Sequence, residues 1–289
     1  MKIMDDPRMR LIGRCTDCLE DSLVRESGGF TCEACGRNYT FDPQGILRAF
    51  PGDQAYTQPF FYKSPGYLQW VKIWEEMIPD WIIYKNSFFR WFSMSGPRQI
   101  KKFIKRDHGD DVPIVDLGCG HGQFFSLMNP ARCVGLDSNL EFLRILKKRF
   151  PTALAIHGNF LNTPFATGSL RCVVSLHTLE HLYFLAEALE EIRRVMERDG
   201  TFFFSIPTEG GLGWELGRRL VTGPHMKRKY QLDIKEIMDI EHINDAWRVL
   251  KFLKFYFKIE KSVYAPFPFL RTLHVNSSIS GIGRPCEKK

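Results

Sequence analysis

The stretch Ile114-Val115-Asp116-Leu117-Gly118-Cys119-Gly120-His121-Gly122 decides how this chain folds. A short apolar run ends near an acid and is followed by three glycines that alternate with larger residues. Leu127 and Met128 come next, at a spacing that suits a helix. The pattern predicts a buried strand, a tight glycine turn and the start of a helix, an arrangement that binds nucleotide-like cofactors. Glycine is needed there because the backbone takes unusual φ and ψ values and must approach a ligand closely.

The spacing of the glycines separates two kinds of cofactor site. A dinucleotide fingerprint requires G-x-G-x-x-G, whereas this chain has G-x-G-x-G with Gln123 at the next position. Nineteen residues after Gly118 stands Asp137, at the end of a second apolar run. An acid at that place typically binds ribose hydroxyls. Together, the glycine loop and the spaced acid resemble the first two motifs of class I S-adenosylmethionine-dependent methyltransferases.

The resemblance covers roughly residues 112–207 and implies a set of cofactor-binding residues. In that family an acid or amide after the third strand bonds the adenine amino group, and Asn159 stands there with Phe160 as its apolar neighbour. The residues that the resemblance assigns to S-adenosylmethionine are Asp116, Gly118, Cys119, Gly120, Gly122, Asp137, Ser138, Asn159, Phe160 and His177.

The remainder of the chain alternates predicted strands and helices, which favours an α/β fold with a doubly wound, Rossmann-like and mostly parallel sheet. The resemblance implies seven strands. We expect a helix over 180–197 and a final strand over 272–279. The predicted organisation is a zinc-ribbon domain over 1–50, an aromatic-rich helical linker or lid over 51–107 and the methyltransferase domain over 108–289.

Two cysteine pairs near the start predict a metal site. Cys15 and Cys18 form one C-x2-C pair, and Cys32 and Cys35 form the other. Two such pairs can complete a tetrahedral four-thiolate site for Zn²⁺. A closed site of this kind is structural, and a segment this small depends on its metal for folding. The segment also resembles the small zinc ribbons that accompany many methyltransferases.

Composition sets broad limits on function. The 289 residues are 44% hydrophobic and 25% charged, which is ordinary for a globular protein, and the net charge of +7 is modestly basic. That charge is compatible with an anionic partner without requiring one. No run of eighteen apolar residues predicts a transmembrane segment, and residues 1–14 lack the apolar core of a secretion signal. We therefore expect a cytoplasmic protein; its oligomeric state stays open.

His177 and His181 are the candidate catalytic residues. They follow the predicted fourth strand, with Glu180 between them, and their spacing would place all three on one helical face. Histidine is suited to general-base catalysis because its ordinary pKa lies near neutral pH. In a few relatives a Glu-x-x-Glu-His segment here holds a divalent metal, so a His-Glu-His metal set is one alternative. A second is that these residues only cap and pack the helix start.

Candidate substrate-binding residues lie in two other regions. Tyr62 belongs to the aromatic-rich segment before the first strand of the methyltransferase domain, where such aromatic residues either line the active site or pack between domains. The insertion before the last strands contributes Glu241, His242 and Asn244, which are polar residues close to apolar neighbours.

These patterns favour methyl transfer from S-adenosylmethionine to a small-molecule or glycan acceptor at oxygen. One alternative is an RNA methyltransferase, acting on ribosomal RNA or tRNA, that uses the zinc ribbon and basic clusters to bind RNA. Against it, Leu176-His177-Thr178-Leu179 stands where base-amino methylases carry an Asn/Asp-Pro-Pro-Tyr/Phe motif. A non-catalytic scaffold with the methyltransferase fold is the third alternative.

Overall fold

The computed structural model describes most of the chain. The described residues are 3–50, 69, 72–73, 87–208, 211–217, 219–220, 223–231, 235, 238, 241–272 and 274–286. Tyr62 and most of the aromatic-rich segment over 51–107 lie outside them.

The described residues form eleven strands in two sheets. The strands are β1 Leu23–Glu26, β2 Gly29–Cys32, β3 Asn38–Thr40, β4 Ile46–Arg48, β5 Ile114–Leu117, β6 Cys133–Asp137, β7 Leu154–His157, β8 Leu170–Leu176, β9 Met196–Pro207, β10 Phe257–Ala265 and β11 Ser278–Pro285. β1, β2 and β3 make a small antiparallel sheet near the N-terminus. The other eight make the main sheet.

The main sheet has the order β10-β11-β9-β8-β5-β6-β7-β4. All neighbours are parallel except β11, which runs antiparallel to both β9 and β10. The predicted Rossmann-like fold class is therefore confirmed, with one strand more than expected. That strand is β4 from the N-terminal segment, which pairs with β7 and buries Ile46 and Leu47 completely.

Helices cover both faces of the main sheet. The α-helices among the described residues are α1 Ser87–Ser93, α2 Ser95–His108, α3 Leu140–Arg149, α4 Leu185–Val195, α5 Leu212–Gly217, α6 Gly223–Tyr230 and α7 Ala246–Tyr256. Residues of α2 and α3 share one core with the sheet, and residues of α4 and α7 share the core on the opposite face. Among the described residues, none of these helices has the length and apolar composition needed to cross a membrane.

In the second half of the chain, two predicted elements differ from those observed. In place of a helix over 180–197, a 3₁₀ turn spans Leu179–His181 and α4 begins only at Leu185. In place of a strand over 272–279, β11 begins at Ser278. The reason lies in Asn276, whose side-chain amide donates hydrogen bonds to the carbonyl oxygens of Leu270 and Thr272 and closes a turn before the strand.

Hydrogen bonds from Arg8, whose guanidinium is held by a buried ion pair within the N-terminal segment, join this segment to the body of the fold. Arg8 binds the carboxylate of Asp6 and donates hydrogen bonds to the carbonyl oxygens of Cys133 (2.7 Å) and Thr152 (2.8 Å). Phe30 of β2 and Tyr39 of β3 share one buried core with residues of the main sheet, so the small sheet packs against the body of the fold. The proposed domain boundaries at 50 and 107 stay predictions, although α2, on the linker side of the second one, packs on the main sheet.

Candidate cofactor and metal sites

The glycine loop follows β5 at the carboxyl end of the main sheet, where ligands of such sheets bind. Gly118, Gly120 and Gly122 have φ values of +77°, +51° and +76°, which only glycine adopts without strain. A Cβ on Gly118 would lie 2.2 Å from Cγ2 of Thr178, whereas a Cβ on Gly120 would meet no described atom within 4 Å. The loop thus packs on one side against residue 178 and is open on the other.

The expected helix after this loop is reduced to a 3₁₀ turn over Phe124–Leu127. The chain turns away at Asn129-Pro130, where the Asn129 side chain accepts a hydrogen bond from the N–H of Ala131 and caps a second 3₁₀ turn. Because a turn this short has no appreciable macrodipole, the loop backbone itself must supply the N–H donors for a bound ligand.

Asp116 is a buried acid directly before the loop. Its side chain lies in β5, and among the described residues Oδ1 has no hydrogen-bond partner. Burial, and secondly the charge of Asp137, raises the pKa of Asp116 to about 8. Buried carboxyl oxygens are normally hydrogen-bonded, so Oδ1 of Asp116 is an unsatisfied polar atom in the strand that leads into the glycine loop.

Asp137 ends β6 beside the same loop. Its Oδ2 accepts a hydrogen bond from the N–H of Gly120 (2.7 Å), and its Oδ1 accepts one from the N–H of Asn139 (2.8 Å). Burial raises the pKa of Asp137 despite these hydrogen bonds. Each carboxylate oxygen has a second lone pair, so both can still accept hydroxyl donors.

The other predicted cofactor residues surround these two acids. Ser138 is exposed, and Cys119 is buried in the loop. Asn159 follows β7, and its Oδ1 accepts a hydrogen bond from the backbone N–H of Leu161 (3.0 Å). The side-chain N–H groups of Asn159 take no part in this bond. Phe160 is buried in the core. The positions of Ser138 and Asn159 suit a ligand at the ends of β6 and β7, and their roles stay predictions.

His177 and His181 do not share a helical face, contrary to the sequence-based expectation. His177 follows β8 with a φ of +54°, and only the short turn Leu179–His181 comes after it. Burial lowers the pKa of His177 to about 4, with His242 as the second cause. Burial and His242 likewise lower the pKa of His181 to about 3. Both imidazoles are neutral at pH 7 and are weak bases in the free protein.

Thr178, which the sequence analysis did not single out, joins this turn to the glycine loop. Its hydroxyl donates a hydrogen bond to the carbonyl oxygen of Gly118 (3.0 Å). A threonine after β8 carries no distinctive sequence signal, so only the structure reveals its contact. The contact fixes the turn that carries His181 beside the cofactor loop.

Of the candidate substrate-binding residues, three lie against this turn. The side-chain amide of Asn244 donates hydrogen bonds to the carbonyl oxygens of Leu179 (3.2 Å) and Leu182 (2.7 Å). The ring of His242 packs perpendicular to that of His181, with the centroids 4.4 Å apart. Glu241 and His242 thus lie beside the candidate catalytic residues, while the amide of Asn244 holds the segment in place. The fourth candidate, Tyr62, lies outside the described residues.

The four N-terminal cysteines converge as the sequence predicted, and their thiols are free. The Sγ atoms of Cys15 and Cys35, and those of Cys18 and Cys32, are 3.6 Å apart. Zn–S bonds of about 2.3 Å in a tetrahedron place neighbouring sulfurs about 3.8 Å apart. Burial raises the pKa of Cys32, but hydrogen bonds, of which the one from the Ser22 hydroxyl has the largest effect, lower this pKa to about 6. The positions of the four sulfur atoms therefore fit the geometry of a tetrahedral Zn²⁺ site.

Comparison with known proteins bears on the main sheet and its loop. Residues 115–204 match the family described as "Methyltransferase domain". An uncharacterized protein of Methanocaldococcus jannaschii is 27% identical over 176 residues, which cover 59% of this chain and 65% of the relative. A probable S-adenosylmethionine-dependent methyltransferase of Mycolicibacterium smegmatis is 26% identical over 168 residues, covering 57% of this chain and 62% of the relative.

Among solved structures, the N-methyltransferase NodS of Bradyrhizobium japonicum, in complex with S-adenosyl-L-homocysteine, has a TM-score of 0.50 at 16% identity. The similarity covers 76% of this chain and 99% of NodS and shows the fold alone. The chain spans less than two thirds of the length of either curated relative named above. The matched family, the sheet order and the glycine loop with its two acids agree: the chain carries a class I S-adenosylmethionine-dependent methyltransferase domain.

Proposed function

We propose that this protein transfers the methyl group of S-adenosylmethionine to a hydroxyl of a small-molecule or glycan acceptor. The observation that carries the proposal is the glycine loop, in which Gly120 has open space at its Cβ position and donates its N–H to the carboxylate of Asp137. The strand before the loop contributes the buried Oδ1 of Asp116, which has no partner among the described residues. An acid at the end of the second strand of the domain, beside a glycine loop, suits a cofactor with ribose hydroxyls.

The residues that would hold the cofactor divide by chemistry. Asp137 would accept hydrogen bonds from hydroxyl groups, and Asp116 would offer its Oδ1 to a hydrogen-bond donor. Asn159 would bind the adenine edge, and the glycines would allow close approach of the backbone. The cofactor supplies an activated methyl carbon, so the protein's main tasks are to align the acceptor and to exclude water.

The acceptor would lie near His177, which follows β8 at the same end of the main sheet as the glycine loop. Transfer to oxygen requires that the hydroxyl proton find an acceptor atom. Nε2 of His177 is buried and has no hydrogen-bond partner among the described residues, and the neutral imidazole can accept a proton there. Its low pKa means that His177 orients and polarises the hydroxyl before it takes the proton. His181 is the second candidate for this role.

The N-terminal cluster would bind one structural Zn²⁺ through Cys15, Cys18, Cys32 and Cys35. With all four positions taken by thiolates, the ion has no open site for substrate. The buried hydroxyl of Tyr39 lies 3.0 Å from Sγ of Cys15 and accepts a hydrogen bond from the N–H of Thr16, which ties the ribbon core to the cluster. The paired thiols also support a location in a reducing compartment such as the cytoplasm.

The test is to incubate the purified protein with methyl-labelled S-adenosylmethionine and a cell extract split into RNA, lipid-glycan and small-molecule fractions. We expect label in the glycan or small-molecule fraction, and loss of that label when His177 is changed to Ala. Label in RNA would overturn the proposed acceptor class. Cofactor binding without label in any fraction would favour a non-catalytic role.

A further inference from the structure

Three metal-binding side chains meet beside the glycine loop. His181 comes from the turn after β8, whereas Glu241 and His242 come from the segment before α7, 60 residues further along the chain. One ligand atom from each residue lies within 4.8 Å of the others. This grouping differs from the His177, Glu180 and His181 set that the sequence suggested, because it draws on a second segment.

The fold holds the three side chains together through the backbone. The N–H of Asn244 donates to the carbonyl oxygen of Glu180 (3.0 Å), and the side chain of Asn244 bonds the turn at two further carbonyls. Nδ1 of His181 lies 3.2 Å from the carbonyl oxygen of Glu241. Because a carbonyl oxygen only accepts hydrogen bonds, Nδ1 carries the proton and Nε2 carries the lone pair. A second hydrogen bond that fixes the tautomer is typical of metal-ligating histidines.

Further atoms that could bind a metal ion lie next to the cluster. Oε1 of Glu180, whose side chain is buried, lies 3.8 Å from Nε2 of His181. His177, with its buried Nε2, is close enough to His242 for the two to interact electrostatically. The region therefore combines imidazole nitrogens with the carboxylates of Glu180 and Glu241, whose two negative charges would balance a divalent cation.

We propose that His181, Glu241 and His242 form a binding site for a divalent first-row transition ion, such as Mn²⁺, Fe²⁺, Co²⁺ or Zn²⁺. Mixed imidazole and carboxylate ligands select these ions over Mg²⁺ and Ca²⁺, which prefer oxygen, and over thiolate-seeking ions. With three protein ligands the ion keeps an open position. The ion could bind an acceptor oxygen next to the methyl donor, and this role rests on the proposed function. The existence of the metal site does not rest on it.

Cobalt is the probe of choice, since its spectrum separates this site from the cysteine cluster. The full-length protein is first loaded with Zn²⁺ at the cysteines, freed of excess metal and then titrated with Co²⁺. We expect one Co²⁺ per chain, with the weak visible bands of nitrogen and oxygen ligands and without intense thiolate charge-transfer bands. Changing His242 to Gln or Glu241 to Gln should raise the Kd for Co²⁺ at least tenfold.

The matched control is His274→Ala, which removes an exposed histidine outside the cluster and should leave Co²⁺ binding unchanged. Thermal unfolding of each variant separates loss of a ligand from loss of fold, and His181→Gln gives an independent third ligand variant. Absence of Co²⁺ binding by a wild type shown by metal analysis to carry only one Zn²⁺ per chain would overturn the site, as would unchanged affinity in all three folded ligand variants.

Binding of S-adenosyl-L-homocysteine is measured on the same samples and reports on the proposed function alone. A wild type that binds Co²⁺ but not S-adenosyl-L-homocysteine would contradict the function and support the metal site. The opposite result would contradict the metal site alone.

Discussion

Alanine substitutions at two glycines of the same loop should have different consequences, one mainly for stability and the other mainly for cofactor affinity. Gly118→Ala places a Cβ at a φ of +77° and 2.2 Å from Cγ2 of Thr178. The left-handed conformation costs about 1–2 kcal/mol for alanine, and forcing an extra methyl group into packed space costs a further ~1–3 kcal/mol. Because the nearby atoms belong to a side chain that is itself hydrogen-bonded to the loop, relief by rotation is limited. We expect a loss of about 2–5 kcal/mol in the free energy of unfolding.

Gly120→Ala should differ, because its Cβ meets no described atom within 4 Å and only the backbone cost of about 1–2 kcal/mol applies. Its new methyl group would occupy the open side of the loop, so we expect the Kd for S-adenosyl-L-homocysteine to rise at least tenfold. Gly168→Ala is the matched control: φ is +65°, the nearest described atom is 3.9 Å away, and the position lies in the turn before β8.

The assay pairs urea unfolding with calorimetric titration of S-adenosyl-L-homocysteine for all three variants. Gly168→Ala should lose about 1–2 kcal/mol and keep cofactor affinity. The reasoning fails if Gly118→Ala is as stable as Gly168→Ala, or if Gly120→Ala binds S-adenosyl-L-homocysteine as tightly as the wild type.

Three further predictions follow from the described contacts. Cys18→Ser should lower bound zinc from one ion per chain to less than half and destabilise the N-terminal segment, measured by metal analysis and limited proteolysis; unchanged zinc content would refute the four-thiolate site. Asp116→Asn should become more stable relative to the wild type as pH rises from about 4 to about 8. In that range the folded wild type keeps the Asp116 proton, because its pKa is about 8, whereas the unfolded chain, with the ordinary pKa of 3.8, releases it. Unfolding of the wild type therefore releases a proton and becomes more favourable as pH rises, while the Asn variant has no such proton. Urea unfolding at both ends of that range checks it, and a stability difference independent of pH would contradict the raised pKa of Asp116. Arg8→Ala should cost about 3–5 kcal/mol because it leaves the Asp6 carboxylate buried and unpaired, whereas the exposed Arg10→Ala should cost less than about 0.5 kcal/mol. Equal unfolding free energies for the two variants would show that the buried pair does not fasten the segment.

The parts of the fold that the sequence predicted are those set by local patterns. The apolar runs and turns predicted β5 to β8, and the glycine spacing with Asp137 predicted a cofactor site at the loop after β5. The clustering of the four cysteines was also predictable from the sequence, because two C-x2-C pairs are the usual spacing of a four-thiolate zinc site. Each of these signals lies within a few consecutive residues, or at a fixed short spacing.

The features that the sequence did not reveal depend on contacts between distant segments. Nothing local in Ile46–Arg48 indicates that this strand joins the edge of the main sheet at β7. The proximity of His181 to His242 arises only when Asn244 bonds the turn after β8. The pKa values of His177 and His181 are lowered by burial, which the chain order alone does not specify.

The most direct test of the central claim is calorimetric titration of the full-length protein with S-adenosylmethionine, comparing the wild type with Asp137→Ala. Asp110→Ala, which removes an exposed acid that pairs with Arg132, serves as the control. The account predicts one cofactor per chain for the wild type and the control, and a Kd at least a hundredfold weaker for Asp137→Ala in a protein that still unfolds cooperatively. Unchanged affinity in Asp137→Ala would contradict the assignment of the cofactor site.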